Sequence, residues 1–260
     1  MIKSIGLIHG LIALGLAACI SNAMADQITE SRDVSGFSAI SFAGSGDLYL
    51  TQGDEESLSV EADDDVMSSI VTEVKDGVLH LYRKKTSSWR GWFDDDDVRY
   101  DLTFVTLDSL RIAGSGDAFA GRIEGADFAI NISGSADVNI DELDVDSLQI
   151  AVTGSGELRV AELNAGELKS RITGSGEVQV SGAVNSQQIS VTGSGDHIAP
   201  MLQSESVAAR VAGSGTVDVW VTGDLEANVS GSGDVIYRGD PSVNSRVSGS
   251  GDVSQRGERM

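Results

Sequence analysis

Along residues 148–160, Leu148, Ile150, Val152, Gly154, Gly156, Leu158 and Val160 hold one parity, and Gln149, Ala151, Thr153, Ser155, Glu157 and Arg159 hold the other. A period of two marks a strand with one buried and one wet face. The alternation recurs through Ile130, Ile132, Gly134, Ala136, Val138 and Ile140, and through Leu168, Ser170, Ile172, Gly174, Gly176, Val178 and Val180. Every such run passes through a phrase built on Gly-Ser-Gly and usually followed by an acidic residue.

The phrases keep a register. Their first glycines are Gly44, Gly114, Gly134, Gly154, Gly174, Gly193, Gly213, Gly231 and Gly249, and from Gly114 onward the spacings are 20, 20, 20, 19, 20, 18 and 18. A fixed period of this size marks a stacked repeat, in which each unit buries its apolar face only against its neighbours. Alternating Val, Ile, Thr and Gly disfavour a helical solenoid, and a propeller blade needs about 40 to 45 residues. The pattern therefore predicts an all-β, single-domain parallel β-helix, expected to be right-handed, with coils of 18 to 20 residues and a glycine corner in each. At ~4.8 Å per coil, the regular part spans roughly 34 Å.

Parity puts both glycines of a phrase on the inner side, where a sharp bend leaves little room for a Cβ and calls for positive φ. Gly114, Gly116, Gly154, Gly156, Gly174 and Gly176 are read as such structural corners. The stretches 161–167 (AELNAGE) and 181–187 (SGAVNSQ) read as looser turns that complete each coil. Between Gly46 and Gly114 the alternation persists without the phrase, in DLYLT, SLSVEA, VLHLYR, VRYDLTF and SLRIA. That segment reads as irregularly joined strands. A short helix is expected within 63–74, capped by Asp64 or Asp65, and a long exposed loop at 84–97.

The resulting division has a leader at 1–25, an N-terminal cap and first strand at 26–43, irregular coils at 44–113, regular repeats at 114–256 and a polar tail at 257–260. The leader has Lys3, an apolar stretch and a small-x-small site at Ala23-Met24-Ala25, as an exported precursor requires. Leu16-Ala17-Ala18-Cys19 reads equally as a lipobox. In that case 1–18 is removed, and Cys19, the only cysteine, is lipidated. Both readings send the protein to the periplasm, the outer membrane or the medium, and membrane contact is expected only through such an anchor.

Composition narrows the partners. The formal net charge is −22, with 18 basic against 40 acidic residues, and Lys3 is the only charged residue of the leader. Such a surface repels nucleic acid and favours solubility. Aromatics make up 5% of the chain, so the core is expected to be aliphatic, and a single cysteine leaves packing and backbone hydrogen bonds to stabilise an exported fold.

The segment SRDVSGFSAISFAGSGDLYLTQGDEESLSVEADDDVMSSIVTEVKDGVLHLYRKK, the recurrent GSGD or GSGE phrases and the ending SRVSGSGDVSQR together resemble the bacterial head GIN-domain family, described as auto-transporter adhesins. The resemblance covers residues 31–256. It implies a parallel β-helix in the cell envelope and carries over no catalytic motif. None of these residues is left over to form a membrane barrel.

Candidate chemistry lies on the outward columns and in one loop. Asp47, Asp117, Asp137, Glu157, Glu177, Asp196, Thr216, Asp234 and Asp252 would stack as a carboxylate column, either taking Ca²⁺ or accepting backbone N–H groups at the corners. Ala43, Ala113, Ser133, Thr153, Thr173, Thr192, Ala212, Ser230 and Ser248 would form a strip of small residues suited to a tight corner or to a docked partner. Trp89, Trp92 and Phe93 are the candidate binding residues, able to stack on sugars or anchor a protein; the favoured alternative has them folding back to plug the end or side of the β-helix. Asp94, Asp95, Asp96 and Asp97 are the weakest metal candidates; no other cofactor is implied.

His9, His80 and His197 have no second ligand nearby in sequence, which argues against a metal centre or a catalytic triad. Asp117 and Asp137 beside Arg111 or Arg122 form the one lyase-like set. Three readings follow. The favoured one is an exported, non-catalytic, adhesin-like binder of a protein or glycan; the others are a self-associating envelope component and a carbohydrate-active enzyme.

Overall fold

The computed structural model describes residues 27–84 and 98–257, and nearly all of them lie in one continuous β-solenoid of about seven turns. The expected β-helix is present. Its regular body comprises β8 (Ser109–Gly114), β9 (Asp117–Gly134), β10 (Asp137–Gly154), β11 (Glu157–Gly174), β12 (Glu177–Gly193), β13 (Asp196–Gly213), β14 (Thr216–Gly231), β15 (Asp234–Arg238), β16 (Ser242–Gly249) and β17 (Asp252–Gln255). Successive coils pair in parallel and in register, so that Gly134, Gly154, Gly174 and Gly193 stack in one line.

Each coil has three corners. Between β10 and β11 the ladder runs over 137–140, 142–145 and 147–154, and it lapses at Asp141, at Asp146 and at the glycine phrase. Inward residues of β10 are Val138 and Ile140, then Leu143 and Val145, then Leu148, Ile150 and Val152. Parity flips at each plain corner, because two successive residues face outward there. The stretches 161–167 and 181–187, expected to be loose turns, are instead strand with short corners, and Leu163, Ala165 and Val184 are buried. Coil length varies at these plain corners: the register shifts between Val160 and Leu163 and between Ala199 and Gln203.

The two glycines of a phrase do different things. Gly154 has φ +118°, and a Cβ built on it would lie 2.4 Å from the Gly134 carbonyl oxygen. That oxygen accepts the Ser155 N–H at 2.8 Å, so the first glycine's carbonyl points along the stack. Gly156 keeps an ordinary φ and faces the core, where a Cβ would meet Ala136 O at 2.5 Å and Ile132 Cγ2 at 2.8 Å. Only the second glycine is inward in the sense expected for both; the Cβ position of the first points at the coil below.

The N-terminal end is threaded out of order. It comprises β1 (Gln27–Arg32), β2 (Ala39–Gly44), β3 (Asp47–Gln52), β4 (Ser57–Asp63), α1 (Asp64–Met67), β5 (Ile70–Lys75), β6 (Val78–Arg83) and β7 (Arg99–Phe104). β2 lies between β6 and β8, and β3 between β7 and β9, all parallel. Beneath them the direction reverses: β5 is antiparallel to β6, β4 to β7, and β1 to β4. The helix expected within 63–74 covers only 64–67, with Asp63 at its N-cap and no side-chain cap, because Ile70 and the residues after it join the sheet. The core here is partly aromatic, with Phe42 and Tyr100 edge to face at 5.3 Å.

Candidate binding surfaces

The longest of the three faces carries the broadest exposed strip. Its ladder places Ser41, Arg111, Asn131, Ala151, Arg171, Ser190, Arg210, Asn228 and Arg246 in one outward column. The expected strip of small residues from Ala43 to Ser248 is the next column, also in register. Neither column contains a carboxylate, although the chain has 40 acidic residues. Between the arginine column and the one through Gln149, Lys169 and Gln188 runs a shallow trough of about 550 Å³. Arg111, Arg171, Arg210 and Arg246 are exposed and make no salt bridge or side-chain hydrogen bond among the described residues. Lys169 is tied to Glu167 at 3.0 Å.

The acidic column lies beyond the glycine corner. Its aspartates work between coils: Asp117 accepts the Asp137 N–H at 2.9 Å, Asp137 that of Glu157 at 3.2 Å, Asp196 that of Thr216 at 2.7 Å, and Asp234 that of Asp252 at 2.9 Å. Each carboxylate thereby staples its own coil to the next one. Glu157 makes no such bond, and Glu177 turns sideways to accept a hydrogen bond from Gln179. Among the described residues, no group of three or more His, Cys, Asp or Glu is placed to hold a metal ion.

The proposed lyase-like set does not assemble. Arg122 bonds Glu124 and Glu142 (3.1 Å), not Asp117 or Asp137, and Arg111 lies in the arginine column on the other side of the glycine corner. His197 is fully buried among coils rather than placed at the surface. Its Nε2 lies 3.4 Å from Gln187 Oε1, and Gln187 Nε2 donates to Ser204 Oγ at 3.0 Å. Ser204 in turn donates to the Trp220 carbonyl at 2.7 Å, while His197 Nδ1 has no partner. Burial lowers the His197 pKa to about 4, so the ring is neutral at pH 7. Sharing its parity with Gly195, His197 was legible as inward; the network around it was not.

A smaller surface lies near the N-terminal end. Tyr49 and Phe119 stack at 5.1 Å, and the Arg99 guanidinium sits 3.9 Å over the Tyr49 ring while gripping Asp101 with two hydrogen bonds. Asp101 holds the Arg99 pKa above its ordinary value, so the cation is permanent. A hollow of about 380 Å³ beside it is lined by Arg32, Glu56, Asp101 and neighbouring polar residues.

The other sequence candidates fall outside the described residues: Cys19, Trp89, Trp92, Phe93 and Asp94, Asp95, Asp96 and Asp97. Their flanks are placed. Asp47 N donates to Val98 O at 2.8 Å, so Val98 stands below the phrase Gly44-Ser45-Gly46. β6 and β7 underlie β2 and β3 on its two sides. Lys84 and Val98, the described residues on either side of 85–97, therefore both lie near the glycine-corner line.

The fold recurs in solved structures. The crystal structure of a "putative lipid binding protein" from Parabacteroides distasonis is 28% identical, with a TM-score of 0.84 over 89% of this chain and 97% of that one. A "putative adhesin" from the same species is 25% identical, with a TM-score of 0.84 over 89% and 98%. A third structure, from Parabacteroides merdae, is 23% identical with a TM-score of 0.84 over 89% and 96%, a likeness of fold. No curated protein matches the sequence. The family described as "Putative auto-transporter adhesin, head GIN domain" matches residues 36–161 and again 129–241, two overlapping windows on one repeat, and the chain belongs to that family.

Proposed function

We propose that the protein is an exported, non-catalytic binder of the cell envelope, adhesin-like, that holds its partner along the outer wall of the solenoid. The observation that carries this reading is the long face. There, two adjacent outward columns run in register from Ser41 and Ala43 to Arg246 and Ser248; the arginines and most of the small residues are exposed, and neither column carries a carboxylate. A repeated flat wall suits extended contact with a polymer or a surface, whereas a catalyst needs one convergent cluster. The family's description as an adhesin and the leader read at 1–25 support the same conclusion. The test is retention of the labelled mature chain on bacterial or host cells and on immobilised glycans. Wild-type retention above a charge-matched control is expected, with a loss on Trp89→Ala plus Trp92→Ala; a chain retained nowhere overturns the reading. For anchoring, Cys19→Ala is decisive: an unchanged soluble fraction removes the lipoprotein form.

A second reading, self-association, has an observation of its own. In β16 the inward positions Val243 and Val247 are 40% and 41% exposed, and no strand among the described residues pairs with its far edge, although β17 covers β15 of the same coil. Sedimentation over a wide concentration range tests it. A concentration-dependent dimer that Val247→Asp abolishes supports it, and a monomer throughout excludes it.

A further inference from the structure

The geometry points to the arginine column of the long face as a binding site for an anionic polysaccharide lying along the solenoid axis. This rests on the binding role proposed above and names its ligand class. Four arginines without an ionic or side-chain hydrogen-bond partner among the described residues share one line in a protein of net charge −22. Exposed basic residues on such a chain readily find carboxylates, as Arg99, Arg122 and Lys169 do. Arg111, Arg171, Arg210 and Arg246 instead stand in a column without acid, and the carboxylate that lines the trough beside them, Glu226, accepts a hydrogen bond from Asn228 Nδ2 at 3.1 Å, so each guanidinium remains free to fork onto a ligand's carboxylate or sulfate.

The spacing suits a polymer. Arg171, Arg210 and Arg246 are two coils apart, with Ser190 between the first pair. At ~4.8 Å per coil this puts a cation every ~10 Å, and Arg111 lies ~14 Å further on. A charge at each second step of the stack matches a glycan that carries one acidic group per disaccharide. Beside the arginines, Thr153, Thr173 and Thr192 present hydroxyls to the same strip and no aromatic ring lines the trough. Recognition here is thus by charge and hydrogen bonding rather than by stacking, which selects acidic over neutral sugars. The opposing field is short-ranged: at physiological salt it decays over about 8 Å, and the stapling aspartates face away across the glycine corner.

The experiment uses the full mature chain against immobilised hyaluronan oligosaccharides of graded length, which carry one carboxylate per disaccharide. Dextran serves as the neutral comparator, and phosphatidylglycerol vesicles as a separate arm. Expected are binding that strengthens with length until the oligomer spans Arg171 to Arg246, weakening with added salt, and about tenfold loss in the double variant Arg171→Ser, Arg210→Ser. Arg122→Ser with Arg159→Ser, on other parts of the wall, should leave it unchanged. Both pairs are exposed, so unaltered melting confirms the fold. Undiminished glycan binding by the first double variant, or vesicle binding alone, overturns the proposal. Cell retention that survives this variant sinks the site while leaving the adhesin reading standing; no retention of wild type sinks that reading itself.

Discussion

At a single glycine the solenoid sets two separate conditions. Gly154 needs both a positive φ and the absence of a Cβ that would sit 2.4 Å from a carbonyl, so Gly154→Ala should cost about 2–4 kcal/mol. At Gly156 only the core-side contact resists, and Ala136 already occupies the equivalent place in its own coil. Gly156→Ala should cost about half as much, and equal urea midpoints for the two variants would contradict this division. The acidic position behaves in the same residue-specific way. Asp196→Ala removes the acceptor of the Thr216 N–H and should cost about 1 kcal/mol. Glu177→Ala touches no amide of the next coil and should stay within about 0.5 kcal/mol. Alternation alone showed which residues form columns. It could not show where a Cβ points at a corner, because parity has two values and the corner adds a third direction, along the axis.

At the scale of one coil, length is negotiable at some places and not at others. The native register shifts in the regular body all fall near plain corners, between Val160 and Leu163, Gln179 and Ser181, Ala199 and Gln203, and Ser204 and Ser206. One glycine inserted between Ala161 and Glu162 should therefore lower the melting temperature only slightly. The same insertion between Ile150 and Ala151 turns Val152 outward and should unfold the coil, since a one-residue slip exchanges the two faces of a strand. Circular dichroism melts of the pair give the comparison directly. These corners were misread from sequence for a physical reason. Two successive outward residues, such as Asp141-Glu142 and Asp146-Ser147, break the alternation in the way a loop does, although the chain stays paired on either side. The helix was overestimated for the opposite cause: Asp64-Asp65 starts one turn, but Ile70 to Lys75 finds a partner in β6.

For the whole molecule, stability is shared among neighbouring coils, and one polar cluster in the stack links it to pH. His197 is held neutral with a pKa near 4, below the ordinary value of about 6.5. Between those values the unfolded chain binds the proton and the folded chain does not. The contribution is thus complete above pH 6.5, falls as pH drops and levels off below 4, a loss of roughly 3 kcal/mol. His197→Val, which copies Val178 and Val217 in the coils on either side, should flatten the fall in urea midpoint between pH 7 and pH 4.5 relative to wild type. An identical pH slope in both proteins would remove His197 as its source. The stack, its period and its outer columns were legible from the repeat, and so was the family. The assembly of Gln187, His197 and Ser204 was not, because it joins residues from two coils across a corner.

The threading of the first coils has a consequence for synthesis. β2 and β3 are made early but find their lower neighbours only in β6 and β7, so no closed first coil exists until Phe104 has been made. A nascent chain shorter than this lacks that closed coil, and beyond it each new coil has a finished template to pair with. Growth is then one-directional, like a crystal that waits for its seed.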